Sequence, residues 1–391
     1  MIESGEIERT LRHAVDRGAV PGVVAMAADT DGIVYEGAFG RRSLASDAPM
    51  SLDTVFWIAS MTKAITSVAA MQLVEHGALA LDAPIGELLP KLAAPQVLDG
   101  FDGDGQPRLR PATRPITLRH LLTHTAGFSY SNWNRDVGRY MAVTGLPAPG
   151  TGLRAALDAP LIFEPGGRWE YGINTDWVGQ AIEAASGQSL DGYFREHICA
   201  PLGMTDTAFV LTPEQRTRLA TVHQRQPDGG LSPTDFALPR APEFFGGGGG
   251  LHSSARDYLT FTRMLLGGGR LGEVRLLRPE TVAQMARNQI GDLTVGVLRS
   301  DVPERSNDAE FFPGMVKKWG LGFLINTEDA PTGRRAGSLT WAGLGNTYFW
   351  IDPTRGVSGV ILTQILPFVD AKAMALYAGF ERALYDALDP A

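Results

Sequence analysis

Apolar positions give the outline of the chain. Met61, Ile65, Val68, Ala69 and Leu73 recur at three- and four-residue steps, a helical period, directly after the extended-favouring pair Phe56 and Trp57. A helix therefore begins at about Ser60. A second amphipathic helical pattern runs from Glu3 to Arg17 and closes at Gly18. Val23 to Ala28 and Ile33 to Gly37 read as strands joined through Asp29-Thr30-Asp31-Gly32, whose Asp-Gly pair is a hairpin signal. Towards the other end, Trp319 to Ile325, Ser338 to Trp341, Thr347 to Asp352 and Val357 to Gln364 read as strands, and Asp370 to Leu388 as a last helix.

The middle is dominated by helical patterns at Leu118 to His124, Asn174 to Ser186, Leu190 to Ile198, Asp257 to Leu266 and Arg278 to Asn288. Pro- and Gly-rich stretches punctuate it, among them Asp99 to Pro115 and Gly145 to Gly152. Strands at both ends with helices between predict an α/β (α+β) chain: residues 1–55 and 310–391 form one mixed domain, and residues 56–309 a mostly helical insert that carries the Ser60 helix. Ser60 would then sit at the junction, where ligand clefts tend to form.

Composition narrows the function. A chain of 391 residues with 44% hydrophobic content can bury a sizeable core, and a formal charge of −8 without any basic run argues against nucleic acid or an anionic membrane as partner. Met1-Ile2-Glu3-Ser4-Gly5-Glu6 is acidic and has no apolar core of a secretory signal, so a cytoplasmic location is expected. Cys199 is the only cysteine, which rules out an internal disulfide, and its apolar neighbours point to a structural thiol. His120 and His124 are one turn apart but lack an acidic companion for zinc, so neither metal nor cofactor is expected. Gly246 to Gly250 has no G-K-[ST] ending and opens no βαβ unit. It reads as a turn of close backbone approach and positive φ packed under the site, not as a phosphate loop.

Ser60 and Lys63 carry the candidate chemistry. Three residues apart at a helix start, they share a face, and the unpaired N–H groups of the first turn lie beside the serine. Serine becomes a nucleophile when a neighbour takes its proton, and lysine can do so when burial lowers its pKa. With 17 Ser and 5 Lys in the chain, chance gives about 0.2 such pairs, and the apolar flanks of Lys63 argue against a solvated capping serine with a lysine turned to water. Two tyrosines compete as a third proton-handling group: Tyr130, in Phe128-Ser129-Tyr130-Ser131-Asn132, and Tyr171, in Pro165-Gly166-Gly167-Arg168-Trp169-Glu170-Tyr171.

Val55-Phe56-Trp57-Ile58-Ala59-Ser60-Met61-Thr62-Lys63, Leu121-Leu122-Thr123-His124-Thr125-Ala126-Gly127, the Pro165-Gly166 turn before Tyr171, and Trp341-Ala342-Gly343-Leu344-Gly345 together resemble the boxes of the serine β-lactamase and penicillin-binding-protein superfamily. Within it, the chain is similar to the class C-like family VIII carboxylesterases, and the resemblance extends to Thr363-Gln364-Ile365-Leu366-Pro367-Phe368. It implies a β-lactamase/transpeptidase-like fold, with an antiparallel sheet flanked by helices and an inserted helical domain. It assigns Ser60 as nucleophile, Lys63 and Tyr171 as the groups sharing its proton, and the Ser60 and Leu344 N–H groups as oxyanion hole. Tyr171 takes that role because the family's tyrosine lies about a hundred residues past the serine, which leaves Tyr130 to line the pocket.

The third box is expected on an edge strand facing Ser60, with Tyr130, Ile173, Trp341 and Gly343 as substrate contacts. Trp341 stands where lactamases carry a lysine, and Ile173 where they carry an asparagine, Asn174 coming one place late. Both changes favour an uncharged small-molecule ester with a short apolar acyl group. A carboxylesterase is the reading drawn, with an acyltransferase, a lactamase or amidase, and a catalytically silent ligand-binding relative as alternatives.

Overall fold

The computed structural model describes residues 3–389. Met1, Ile2, Pro390 and Ala391, which the readings of the two chain ends include, lie outside them. The sheet strands are β1 (Gly22–Asp29), β2 (Ile33–Gly40), β5 (Lys317–Trp319), β6 (Leu324–Asn326), β7 (Leu339–Gly343), β8 (Thr347–Asp352) and β9 (Val357–Leu362), while β3 (Val55–Trp57) and β4 (His252–Ser254) form a separate antiparallel pair. The helices that matter for the site are α1 (Gly5–Asp16), α2 (Thr62–Glu75), α3 (Asn174–Ser186), α4 (Ala255–Leu266) and α5 (Ala371–Leu388).

All seven sheet strands are antiparallel to their neighbours, in the order β5-β6-β7-β8-β9-β1-β2. Both chain ends supply the sheet: Val24 of β1 lies opposite Leu362 of β9 on one side and Ala38 of β2 on the other. Helices cover both faces. Adjacent residues of β8 point opposite ways, so Trp350 packs on Phe380 of α5 and Phe349 on Tyr258 of α4. This double burial is why β8 and β9 read as unbroken apolar runs rather than as alternating ones. The Asp29 carboxylate closes the β1–β2 turn by accepting the N–H groups of Asp31 and Gly32, each at 2.8 Å.

Three expectations change. Trp319 to Ile325 is not one strand but the ends of β5 and β6, with Trp319 opposite Leu324. The alternation of Trp319, Leu321, Phe323 and Ile325 imitates a strand, yet Gly322 has φ of 98° and a Cβ there would lie 2.2 Å from Ser67 Oγ, so the chain turns against α2. Residues 99–115, read as punctuation, hold most of a hairpin of Gln96–Phe101 and Pro107–Pro111. Strand β7 is not an edge of the sheet. Its partner β6 nevertheless pairs only with Leu339 and Thr340, which leaves the Trp341–Gly343 end without a neighbour on that side.

No described helix is long and apolar enough to cross a membrane.

Candidate active site

Ser60 lies in a 3₁₀ turn, Ala59–Met61, that leads into α2. The preceding Ala59 has φ of 44°, a left-handed conformation that costs a non-glycine residue about 1–3 kcal/mol and must be held by its surroundings. Those surroundings are specific. The Ile58 N–H donates to the Leu251 carbonyl (3.1 Å), the Leu251 N–H donates to Thr62 Oγ1 (3.1 Å), and Tyr258 OH donates to the Met61 carbonyl (2.8 Å). The Gln364 side-chain amide grips the backbone of Trp57 at both polar atoms, each at 3.0 Å. The turn is thus pinned from two distant parts of the chain.

Every residue from Thr62 to Leu73 is buried, so α2 runs through the core and takes Lys63 with it at 1% exposure. The Lys63 amine reaches Ser60 Oγ at 3.2 Å, Tyr130 OH at 3.1 Å and the Gly248 carbonyl at 2.6 Å. None of these partners is charged. Burial pushes the Lys63 pKa down to about 7, against the pull of the Asp176 carboxylate. A neutral amine has two N–H groups and one lone pair: with the N–H groups on Gly248 and Tyr130, the lone pair is left for the Ser60 proton.

Tyr171 packs on the other side. Its hydroxyl lies close enough to the Ser60 side chain to feel it and accepts the Trp341 indole N–H at 3.0 Å, and the Lys63 amine lies 4.7 Å from its ring centroid. Burial raises the pKa of Tyr171, and that of Tyr130 well above 10, so both keep their protons at neutral pH. The two tyrosines are placed differently: Tyr130 bonds the lysine, and Tyr171 lies beside the serine.

Several supporting groups were not legible beforehand. Asp176, in the first turn of α3, is buried and accepts the Gly248 N–H at 2.9 Å. It thereby aims the Gly248 carbonyl at Lys63. The glycine run does lie under the site, but none of Gly246 to Gly250 has positive φ. Close approach alone demands glycine, since a Cβ on Gly248 would fall 2.7 Å from Asp176 Oδ2 and one on Gly247 2.8 Å from the Thr175 carbonyl. His124, fully buried with φ of 58°, packs 4.8 Å from the Tyr171 ring and bonds the Asn174 side-chain nitrogen through Nδ1 at 2.9 Å. Burial holds it well below its ordinary pKa, and so neutral. Asn174 therefore faces His124.

Ser60, Tyr130, Asp176 and Leu344 line one cavity of about 230 Å³, whose remaining wall is largely apolar and includes Trp57, Phe236 and Phe244. Of the four expected substrate contacts, only Tyr130 is on this wall. Ile173 and Trp341 are buried behind it, and Gly343 is needed for backbone approach, because a Cβ there would meet the Ile58 carbonyl at 2.3 Å. Among the described residues the Leu344 N–H makes no backbone hydrogen bond.

A sequence profile described as Beta-lactamase matches residues 7–383. The chain is 37% identical over 396 aligned positions to the monacolin J acid methylbutanoyltransferase of Aspergillus terreus, covering 97% of this chain and 95% of that protein. It is 34% identical to the lovastatin esterase of Penicillium rubens, covering 94% and 95%. Its fold superposes on unliganded simvastatin synthase from Aspergillus terreus with a TM-score of 0.86 at 35% identity, covering 98% of each chain. With its β-lactamase/transpeptidase-like fold and a profile match over nearly its whole length, the chain belongs to the β-lactamase family.

Proposed function

We propose that the protein is an acyl-serine enzyme that moves a short acyl group from an ester-type donor to the hydroxyl of an apolar small molecule. The observation that carries this is the uncharged cage of Ser60, Tyr130 and the Gly248 carbonyl around a buried lysine with a pKa of about 7. Lys63 takes the Ser60 proton as Oγ attacks the acyl carbonyl. The oxyanion is met by the Ser60 and Leu344 N–H groups, each such donor being worth about 3–4 kcal/mol. Tyr171, protonated and in contact with Ser60, supplies the proton to the leaving oxygen, and the proton held by Lys63 restores the phenol. A second alcohol, or water, then resolves the acyl-enzyme by the same steps in reverse.

Alcohol and water are chemically equivalent acceptors here. The sequence favoured water, but relatives named as methylbutanoyltransferase and synthase support the alcohol, and the apolar cavity wall supports an acceptor with a hydrocarbon body. Ester hydrolysis is the second reading, favoured by the relative named lovastatin esterase. Lactam hydrolysis is less well supported, because the relatives reported above are named for acyl transfer and for ester cleavage. A cytoplasmic location remains part of the proposal.

The test is a burst assay with p-nitrophenyl butyrate, with and without a long-chain alcohol. A nitrophenol burst with a butyrate ester of the added alcohol, both lost in Ser60→Ala, is expected. A burst followed by free butyrate alone would favour the esterase, and no burst with any short acyl ester would remove the acyl-serine reading.

A further inference from the structure

The cavity has two charged side chains on its wall, Asp176 and Arg305. Asp176 is accounted for by the Gly248 N–H and by its pull on Lys63. Arg305 is not. Among the described residues its guanidinium makes no ion pair and no hydrogen bond, and it lies over the Phe236 ring, 5.8 Å from centroid to guanidinium carbon. Arg225 and Arg334, with side chains 11% and 0% exposed, behave differently, each holding a carboxylate.

The backbone beneath Arg305 is tied down on several sides. Its N–H donates to the Val302 carbonyl (2.9 Å), its carbonyl accepts the Phe368 N–H (2.9 Å), and the next residue, Ser306, accepts the Trp133 indole N–H through Oγ (3.0 Å). Trp133 and Phe236 both line the cavity, and the guanidinium lies over the Phe236 ring. A half-buried cation without a charged partner gives up part of its hydration uncompensated, and burial lowers its pKa accordingly. A ligand anion would remove that cost, and the planar fork of a guanidinium matches a carboxylate at two points. A single arginine, with no second cation and a carboxylate on the same cavity wall, suits a singly charged anion better than a phosphate dianion.

We propose that Arg305 determines specificity in this cavity by pairing with a carboxylate on the substrate, remote from the reacting ester carbon. This rests on the acyl-serine reading for the identity of the cavity as the substrate site. It revises the expectation of an uncharged substrate, which was drawn from Trp341 and Ile173: the cation for a substrate carboxylate is supplied by a different loop.

Trp57 and Trp133 line the cavity, so tryptophan fluorescence can report occupancy without turnover. Titration with decanoate, decanamide and decyl phosphate is expected to show decanoate binding about tenfold or more tighter than the amide in the native protein. That ratio should fall to about one in Arg305→Gln and persist in part in Arg305→Lys. A ratio near one in the native protein, or an unchanged ratio in Arg305→Gln, would overturn the proposal. Decyl phosphate binding tighter than decanoate would overturn the choice of a carboxylate. A decanoate preference that depends on Arg305 in a protein without any acyl burst would sustain the anion site while removing the acyl-serine reading.

Discussion

Lys63 and Arg334 are both fully buried cations, and their fates are opposite. Arg334, beneath α5, is clamped by both oxygens of Glu381 at 2.5 and 2.8 Å and by Tyr377 OH at 2.5 Å. Despite its burial, the neighbouring carboxylate holds its pKa above the ordinary arginine value. Lys63 is surrounded by a hydroxyl pair and a carbonyl, with Asp176 close enough to influence it but not to pair with it, and its pKa falls to about 7. Burial alone decides neither case. A paired buried charge keeps its proton as part of the framework, whereas an unpaired one is left able to exchange it near neutral pH.

The contrast breaks most sharply if both cations are replaced by methionine. Lys63→Met is expected to lower kcat/KM with p-nitrophenyl butyrate by about 10³-fold while raising unfolding stability by about 1–4 kcal/mol, because a costly buried amine is removed. Arg334→Met is expected to lose about 3–5 kcal/mol in urea unfolding, since Glu381 is left uncompensated, with kcat of the folded fraction little changed. Similar effects of the two substitutions on stability would erase the distinction.

Smaller changes sharpen it within the site. Tyr171→Phe removes the hydroxyl that meets Ser60 and is expected to cost about 10²-fold in kcat, against about tenfold for Tyr130→Phe, which removes one acceptor of the amine. The reverse order in steady-state kinetics would exchange their roles. The pH profile should be subtler still. Lys63 works as a base only when neutral, so kcat/KM should rise with pH through an ascending limb near 7. Asp176 favours the charged amine, so Asp176→Asn should move that limb to lower pH by up to about one unit. A limb that stays in place, or moves to higher pH, would remove Asp176 from the control of Lys63.

Much of this was legible because it is local. The pair Ser60 and Lys63 needs only a helix, and the apolar periods placed Asn174–Ser186 and Thr347–Asp352 at their observed bounds. The misread stretch at Trp319 to Ile325 shows the limit: strand alternation and a tight turn share one pattern there, and Ser67 of α2, far away in sequence, decides between them. Gln364 on Trp57, Gly248 on Lys63 and Trp341 on Tyr171 are contacts across more than 150 residues, and no window of sequence contains them. The five glycines were a usable signal, since such a run announces a backbone approached closely from several sides.

The chain alone therefore named its candidate nucleophile and the amine that meets it, because two residues on one helical turn are neighbours wherever that turn ends up. Whether the amine is an acid or a base at neutral pH, which tyrosine it touches, and that an arginine lines the same cavity without a partner among the described residues were decided by assembly. Those properties depend on how much water is excluded and which dipoles replace it, and both are supplied by segments that meet only once the chain has folded.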